Sequence, residues 1–170
     1  MIEYNHKAKI RKGKAMSGTV YGTHPIAVNA NRVRIPAKFR SFLGDDVIAT
    51  VGADGCFLLM PECNKDTVLK NYVKANDPYM SEFKEMARVV NRLTTKLDLD
   101  TQGRITVDDN LKRICKGLVG ADEITFCGMG EYIEAWPSDV YNRRYGDADG
   151  DSDDFDSLIA NLKAKLGKAD

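Results

Sequence analysis

Hydrophobic and polar residues alternate in two parts of the chain, and the same succession of predicted elements follows each alternating part. The stretch Arg32–Ile35 alternates in the way typical of a strand and leads into a short helix that begins at Pro36. The stretch Arg104–Val107 alternates in the same way and leads into a second short helix at 108–113. Two apolar strands follow each helix, at 47–51 and 56–60 in the first copy and at 123–127 and 132–136 in the second. The pattern predicts an internal structural repeat, the alternative being two unrelated strand–helix–hairpin units.

The two copies align over their whole length with one insertion. Arg32 and Arg104 align at an offset of 72. Later landmarks align at an offset of 76: Gly44, Asp46, Gly52 and Pro61 with Gly120, Asp122, Gly128 and Pro137. We therefore expect four extra residues in the second copy near 115–119, where a surface turn tolerates them. We expect the strands to keep their register, so that Val47 corresponds to Glu123.

The remaining segments frame these two copies. Residues 18–35 are strand-like, and turns are expected at Gly18, Gly22 and Pro25. Helical periodicity covers 64–76 and 79–96, with a break at 77–78; the second helix has Phe83, Met86, Ala87, Val90 and Leu93 on its apolar face. A short helix is expected at 138–145, and a final amphipathic helix carries Phe155, Leu158, Ile159, Leu162 and Leu166. The predicted organisation is a basic arm (1–17), a first repeat (18–63), connecting helices (64–96), a second repeat (97–145), and an acidic linker with a C-terminal helix (146–170).

The formal net charge of zero hides a strong asymmetry along the chain. Residues 1–40 carry nine Lys or Arg and one acid, Glu3, and so have a net charge of +8, which leaves −8 for residues 41–170. A basic front segment suggests a polyanionic partner, nucleic acid before membrane. The basic residues of the arm, Lys7, Lys9, Arg11, Lys12 and Lys14, either follow a phosphate backbone or belong to a solvated tail.

Several classes of function are disfavoured by the composition. No apolar run approaches the roughly 20 residues of a membrane span, and no signal peptide is evident, so we expect an intracellular protein without a membrane partner. Four cysteines lack a paired metal-binding spacing, and we expect neither disulfides nor a metal or other cofactor. The acidic run from Asp147 imitates a calcium loop but has Ser152 and Leu158 where glycine and glutamate are required. No catalytic motif is present, and we expect a protein that is not an enzyme.

The candidate binding residues are the basic side chains of the two copies. Arginine offers a planar fork of donors suited to phosphate oxygens or to the O6/N7 edge of guanine. Arg32 and Arg34, two apart on a strand, share a face. The other members lie on the helices or in the second copy: Lys38, Arg40, Arg104, Lys112 and Arg113. A lone cluster of this kind would be an ordinary charged surface, but its repetition and the basic arm favour a nucleic-acid contact.

The same residues resemble the MraZ family. The stretch Asp100–Arg104 matches the D-x-x-x-R signature, and Leu99 precedes it as in the family. The stretch Arg32–Arg40 matches R-x-x-x-P-A-K-F-R, whereas in the second copy Asp108 replaces the usual proline. The strand Glu131–Trp136 is similar to the family's R-I-E-I-W strand, with Tyr132 at the arginine position. The resemblance covers roughly residues 18–167.

The resemblance implies an architecture and a function. The expected fold is α+β: two AbrB-like swapped β-hairpin–helix halves interleave into one small β-barrel, flanked by helices and followed by a C-terminal helix. The expected function is that of a ring-forming transcriptional regulator, cytoplasmic and associated with the nucleoid. It would bind short direct repeats in double-stranded DNA upstream of the division and cell-wall gene cluster. Arg32 and Arg104 would be the primary DNA contacts and Asp100 would orient the arginine, with supporting contacts from Arg34, Lys38, Arg40, Lys112 and Arg113.

The first copy departs from the family signature. Its aspartate position falls on Val28, or on Asn29 if the alignment shifts by one residue, and Asn31 replaces the glycine before Arg32. We therefore expect Arg32 to be held less rigidly than Arg104. On this view the second copy keeps sequence specificity, whereas the first contributes mainly charge. Two alternatives stay open: another AbrB-like regulator, although such chains usually carry one half each, and a structural assembly protein that does not bind DNA.

Overall fold

The computed structural model describes residues 18–72, 81–146 and 153–167. Eight strands are present in that part of the chain: β1 (Val20–Asn29), β2 (Arg32–Arg34), β3 (Val47–Val51), β4 (Phe57–Pro61), β5 (Thr95–Leu97), β6 (Arg104–Thr106), β7 (Glu123–Gly130) and β8 (Ile133–Pro137). The helices there are α1 (Ala37–Leu43), α2 (Lys65–Tyr72), α3 (Ser81–Arg92), α4 (Asp109–Ile114), α5 (Ser138–Tyr145) and α6 (Asp153–Leu166). The predicted basic arm, the break at 77–78 and the acidic run at 147–152 lie outside the described residues.

The strands form one antiparallel sheet that curls into a nearly closed barrel, in the order β5-β3-β4-β8-β7-β1-β2-β6. The first strand of each copy pairs with the hairpin of the other copy: Ile26 of β1 lies opposite Ile124 of β7, and Leu97 of β5 lies opposite Val47 of β3. Neither copy can complete its own sheet. The predicted α+β fold of two interleaved halves is confirmed.

An approximate twofold axis relates the two copies. Val33 pairs with Ile105, its counterpart in the second copy, and Leu58 pairs with its counterpart Glu134. A residue can lie opposite its own counterpart only on a twofold axis, so the axis passes through both pairs. It crosses the barrel between β2 and β6 on one side and between β4 and β8 on the other.

The second hairpin of each copy has a different turn length. In the first copy the Gly52 N–H donates to the Cys56 carbonyl at 3.2 Å, which leaves three residues in the turn. In the second copy the Met129 N–H donates to the Tyr132 carbonyl at 2.9 Å, which leaves two. The second turn is therefore one residue shorter, and Gly52 occupies the position of Met129.

This shorter turn overturns the predicted register of the preceding strands. Val47 lies opposite Pro61, and Ile124 lies opposite Pro137. Val47 therefore corresponds to Ile124 and not to Glu123, and the alignment of glycines 52 and 128 is a coincidence. A one-residue slip matters because it moves every side chain to the other face of a strand: Val47 and Ile124 are both buried, whereas Glu123 is exposed.

Two predicted boundaries also change. The strand β1 continues through Gly22 and Pro25, where turns were expected. Proline is tolerated there because β2 pairs with β1 only from Val28 onward, which leaves the other edge of β1 unpaired at position 25. Thr95 and Lys96, predicted as the end of a helix, belong to β5, because pairing with β3 outweighs the helical pattern.

The apolar face predicted for the second connecting helix is only partly buried. Leu93, just after α3, packs against the barrel core, whereas Met86, predicted on the same apolar face, is exposed.

The helix α5 spans the predicted residues 138–145, and α6 begins and ends within the predicted final segment. Within the described residues, no helix is both long and apolar enough to cross a membrane.

The second copy has five inserted residues between α4 and β7, one more than predicted, because Val47 corresponds to Ile124. A short 3₁₀ turn, Lys116–Leu118, lies at the predicted place of the insertion. Leu118 is buried, and the Cys115 thiol donates to the Gly55 carbonyl of the first copy at 3.1 Å. The insertion thus packs against the turn of the opposite hairpin. All four cysteines are free thiols.

The barrel interior is filled from both copies. Its largest fully buried side chains include Ile35, Phe39, Leu43, Phe57 and Leu59 from the first copy and Ile105, Leu111, Ile124, Phe126 and Ile133 from the second. The Phe39 and Phe126 rings meet edge to face with centroids 6.5 Å apart. Because the copies share one core, the exposed face of β2 and β6 is held on a rigid base.

Candidate nucleic-acid interface

Three arginines leave the barrel from one face of the β2–β6 ladder. Val33 and Ile105 point inward and are almost fully buried. Because side chains alternate along a strand, the neighbouring residues point outward: Arg32, Arg34, Arg104 and Thr106. Arg34 lies directly opposite Arg104, and Arg32 lies opposite Thr106. We call these four residues the arginine face.

Asp100 fixes the turn that leads into this face. Its Oδ1 atom accepts hydrogen bonds from the backbone N–H groups of Gln102 at 2.9 Å and Arg104 at 3.0 Å. The Asp100 N–H in turn donates to the Arg104 carbonyl at 3.0 Å, which closes a three-residue turn. Gly103 ends that turn at φ +71°, a left-handed conformation that glycine adopts without strain.

The other carboxylate oxygen of Asp100 holds the side chain of Arg104. The Arg104 Nε–H donates to Asp100 Oδ2 at 2.7 Å, a short charge-assisted hydrogen bond. The pKa of Asp100 is lowered, chiefly by the backbone hydrogen bond from Arg104 and further by its side chain. Asp100 is therefore ionised, and the predicted orienting pair of Asp100 and Arg104 is present in the structure.

The first copy has a different arrangement at the equivalent turn. Asn29 pairs with Arg32 across the first turn, and the Asp100 N–H donates to the Arg104 carbonyl across the second turn. The signature aspartate therefore corresponds to Asn29 and not to Val28. The turn contains only Ala30 and Asn31, both at positive φ. Arg32 thus lacks a carboxylate in its own hairpin.

Arg32 instead approaches the carboxylate of the second copy. Its Nη1 atom lies 4.0 Å from Asp100 Oδ2, the same oxygen that accepts from Arg104. The Arg32 side chain is 52% exposed, whereas that of Arg104 is 31% exposed. These two values are consistent with the expectation that Arg32 is held less firmly than Arg104.

Arg40 joins the site from α1. Its side chain covers Gly103 so closely that a Cβ built on the glycine would collide with Cδ and Nη1 of Arg40. Its Nε atom is buried and, among the described residues, has no hydrogen-bond partner. A helix of the first copy therefore brings a guanidinium to the arginine-bearing turn of the second.

The three remaining predicted residues are not gathered around that turn. Lys38 Nζ lies 5.7 Å from the centroid of the Phe39 ring and 3.1 Å from the position that a Cβ on Gly22 would take, far along β1. Lys112 and Arg113 lie in the last turn of α4. The Lys112 residue is half-buried, and Arg113 is exposed. In the described part of the chain, neither side chain makes a hydrogen bond or an ion pair.

Sequence reasoning missed two features of this site. Thr106 shares the outward face, and a signal for it existed, since it stands two residues after Arg104 as Arg34 stands after Arg32. The contact of Arg40 with Gly103 had no local signal because it joins the two copies. In the described residues, no group of three or more His, Cys, Asp and Glu side chains could hold a metal ion.

No protein-family model matches the chain, but several proteins named "Transcriptional regulator MraZ" are similar to it. That of Alkaliphilus oremlandii is 33% identical over 136 residues, which is 80% of this chain and 90% of the relative. The chain belongs to the MraZ family.

Two further similar proteins are also named "Transcriptional regulator MraZ". The protein of Lachnoclostridium phytofermentans is 32% identical over 108 residues, 62% of this chain and 71% of its own length. That of Natranaerobius thermophilus is 29% identical over 111 residues, 65% of this chain and 75% of its own length. Because MraZ relatives are named as transcriptional regulators, the expectation that the chain is not an enzyme is confirmed.

Proposed function

We propose that this MraZ-family protein is a DNA-binding transcriptional regulator and that the arginine face is its DNA-contacting surface. The observation that carries the proposal is the concentration of Arg32, Arg34 and Arg104 on one short exposed ladder, where Asp100 forms ion pairs with Arg32 and Arg104. Such a surface keeps a net positive charge on a rigid base. A polyanion would neutralise it.

The shape of the face suits a DNA groove. A two-stranded β-ribbon fits the major groove, where an arginine fork can bond the O6 and N7 atoms of guanine. Asp100 engages Arg104 through Nε, so the terminal Nη groups of that guanidinium are available for a base or a phosphate. Arg32 and Arg34 extend the same surface, and Arg40 borders it at Gly103.

We further propose that the target consists of short direct repeats upstream of the division and cell-wall gene cluster, bound by a ring of subunits in the cytoplasm at the nucleoid. One arginine face covers only a few base pairs and would bind weakly alone. Several faces held at a fixed spacing bind adjacent repeats with much greater avidity, because the later contacts are intramolecular. The proposal rests on membership of the MraZ family and on the arginine face described above.

Fluorescence anisotropy tests the proposal with two duplexes. One carries the DNA that precedes the gene in its own genome, including any direct repeats, and the other carries the same bases in shuffled order. We expect tighter binding to the first duplex, with log Kd rising steeply with log salt concentration, by about 0.9 for each phosphate neutralised. Equal and salt-insensitive binding to both duplexes would contradict the proposal.

The assembly state needs its own measurement. Mass photometry of the full chain, with and without the repeat duplex, reports the number of subunits. A closed ring predicts one dominant oligomer, whose subunit step matches the spacing of the repeats. Oligomers that form without any DNA binding at moderate salt would favour a structural assembly protein.

A further inference from the structure

Of the two hairpins that carry Arg32 and Arg104, one has a carboxylate at the signature position before the arginine and the other does not. Asp100 follows β5 and faces Arg104, whereas the equivalent position before the first-copy turn is Asn29. An amide cannot supply the charge that orients a guanidinium. Yet Arg32 is not remote from a carboxylate, because Asp100 Oδ2 lies 4.0 Å from its Nη1 atom.

We propose that Asp100 is a shared positioning residue, which orients Arg104 of its own hairpin and Arg32 of the other copy. The inference rests on the proposed DNA-binding function of the arginine face. Because β2 and β6 are neighbours across the twofold axis, the two arginines converge on one carboxylate oxygen. The two halves of the DNA site are therefore coupled through a single side chain.

The hydrogen bonds of Asp100 make it suited to this role. Oδ1 is anchored by the backbone N–H groups of Gln102 and Arg104, so the carboxylate cannot rotate freely. A carboxylate accepts about four hydrogen bonds, and Oδ2 has capacity left after it accepts from Arg104 Nε. The packing of Arg40 over Gly103 fixes the same turn from outside.

Sharing also raises the charge available to DNA. Together, Arg32, Arg34, Arg104 and Asp100 have a net charge of +2. A second aspartate, at position 29 of the first hairpin, would lower this net charge to +1. Each phosphate contact adds to the salt-dependent part of binding. The single carboxylate thus orients two arginines while keeping one more positive charge for the nucleic acid.

The test is the variant Asp100→Asn, made in the wild type and in Arg104→Ala. The matched control is Asp98→Asn, which removes the same charge from an exposed position in the same loop. The readout is the ratio of Kd for the shuffled duplex to Kd for the upstream duplex. In the wild type we expect Asp100→Asn to lower that ratio about tenfold, the discrimination typical of one base-reading arginine. Asp98→Asn should leave it within about twofold.

The Arg104→Ala background separates shared from local positioning. If Asp100 also orients Arg32, Asp100→Asn lowers the ratio again in that background, by about threefold or more. If the ratio stays unchanged there, Asp100 serves only Arg104 and the inference is overturned. Affinity for shuffled DNA should hold or increase, since a negative charge is lost. An equal loss on both duplexes would indicate damage to the fold and would also overturn it.

A measurement without DNA keeps the inference separate from the proposed function. If the wild type does not prefer its upstream duplex, the proposed function fails, but ¹⁵N relaxation of the arginine Nε–H groups still reports side-chain order. We expect Asp100→Asn to increase the motion of both Arg32 and Arg104, and Asp98→Asn to change neither. An Arg32 signal unaffected by Asp100→Asn would overturn the inference in the free protein.

Discussion

Arg34 lies directly opposite Arg104 on neighbouring antiparallel strands, so two guanidinium groups leave the same face of the barrel side by side. Like charges in such a cross-strand pair destabilise a folded protein. The twofold counterpart of Arg34 is Thr106, so the second copy avoids the same pairing with Arg32. The repulsion is therefore specific to one side of the arginine face, where a bound polyanion would relieve it.

Replacing Arg34 with threonine should stabilise the folded protein and weaken its salt-dependent binding to DNA. Arg34→Thr places a threonine at the position of the first copy that corresponds to Thr106 of the second copy. It also removes the like-charge pair of Arg34 and Arg104. We expect the free energy of unfolding to rise by about 0.2–1 kcal/mol in urea titrations. We also expect the slope of log Kd against log salt to decrease by about 0.9, the value for one phosphate contact. An unchanged slope would show that Arg34 does not contact a phosphate.

Alanine at Gly103 should be costly for two separate reasons. Gly103 has φ +71°, and a methyl group there would collide with Arg40. Gly120 has φ +73° and open space around its Cβ position, so Gly120→Ala isolates the backbone cost of about 1–2 kcal/mol. Gly103→Ala should destabilise the protein more than Gly120→Ala does, as measured by urea denaturation.

The variant Arg40→Ala provides the control for that comparison. If the excess cost of Gly103→Ala comes from Arg40, it should disappear when both substitutions are combined. If Gly103→Ala still destabilises the protein more than Gly120→Ala in the Arg40→Ala background, the conformation of the turn, and not the Arg40 side chain, requires glycine at position 103. Arg40→Ala alone should also weaken binding to both duplexes.

The Asp100 carboxylate should titrate below the usual range for aspartate. Its pKa is lowered first by the Arg104 backbone N–H, and the Arg104 side chain and the Gln102 backbone add to the effect. A depressed folded-state pKa contributes stability that is fully present above the unfolded-state pKa and is lost as the pH falls through the folded-state pKa. Carboxyl ¹³C NMR measures this pKa directly. In Arg104→Ala it should rise but stay below the usual range, because both backbone donors remain.

Restoring the missing carboxylate of the first copy should order the Arg32 side chain and lower the net positive charge of the DNA-contacting surface. Asn29→Asp places an aspartate opposite Arg32, as Asp100 is placed for Arg104. We expect lower mobility of Arg32 in ¹⁵N relaxation and about 0.9 less salt slope in DNA binding. Asn31→Asp adds the same charge in the same turn without facing Arg32 across the ladder. It should lower the salt slope equally but leave Arg32 mobile, and equal ordering by both variants would contradict the argument.

Alternation along the chain predicted the internal repeat, and the resemblance to the MraZ family implied the interleaved barrel and the Asp100–Arg104 pair. The register of β7 was wrong by one residue, since the glycines at 52 and 128 suggested an alignment that the shorter second turn breaks. Contacts between the copies had no local signal. The approach of Arg32 to Asp100 and of Arg40 to Gly103 depends on how β2 pairs with β6, and the position of Lys38 depends on the path of β1.

The most direct test of a DNA-reading arginine face is the Kd of Arg104→Ala for the upstream and shuffled duplexes. Arg143→Ala is the matched control, because Arg143 also pairs with an aspartate four residues earlier, Asp139, but on α5. We predict that Arg104→Ala weakens binding to the upstream duplex about tenfold or more, with a much smaller loss on shuffled DNA and no change for Arg143→Ala. Unchanged binding of Arg104→Ala to the upstream duplex would contradict the account.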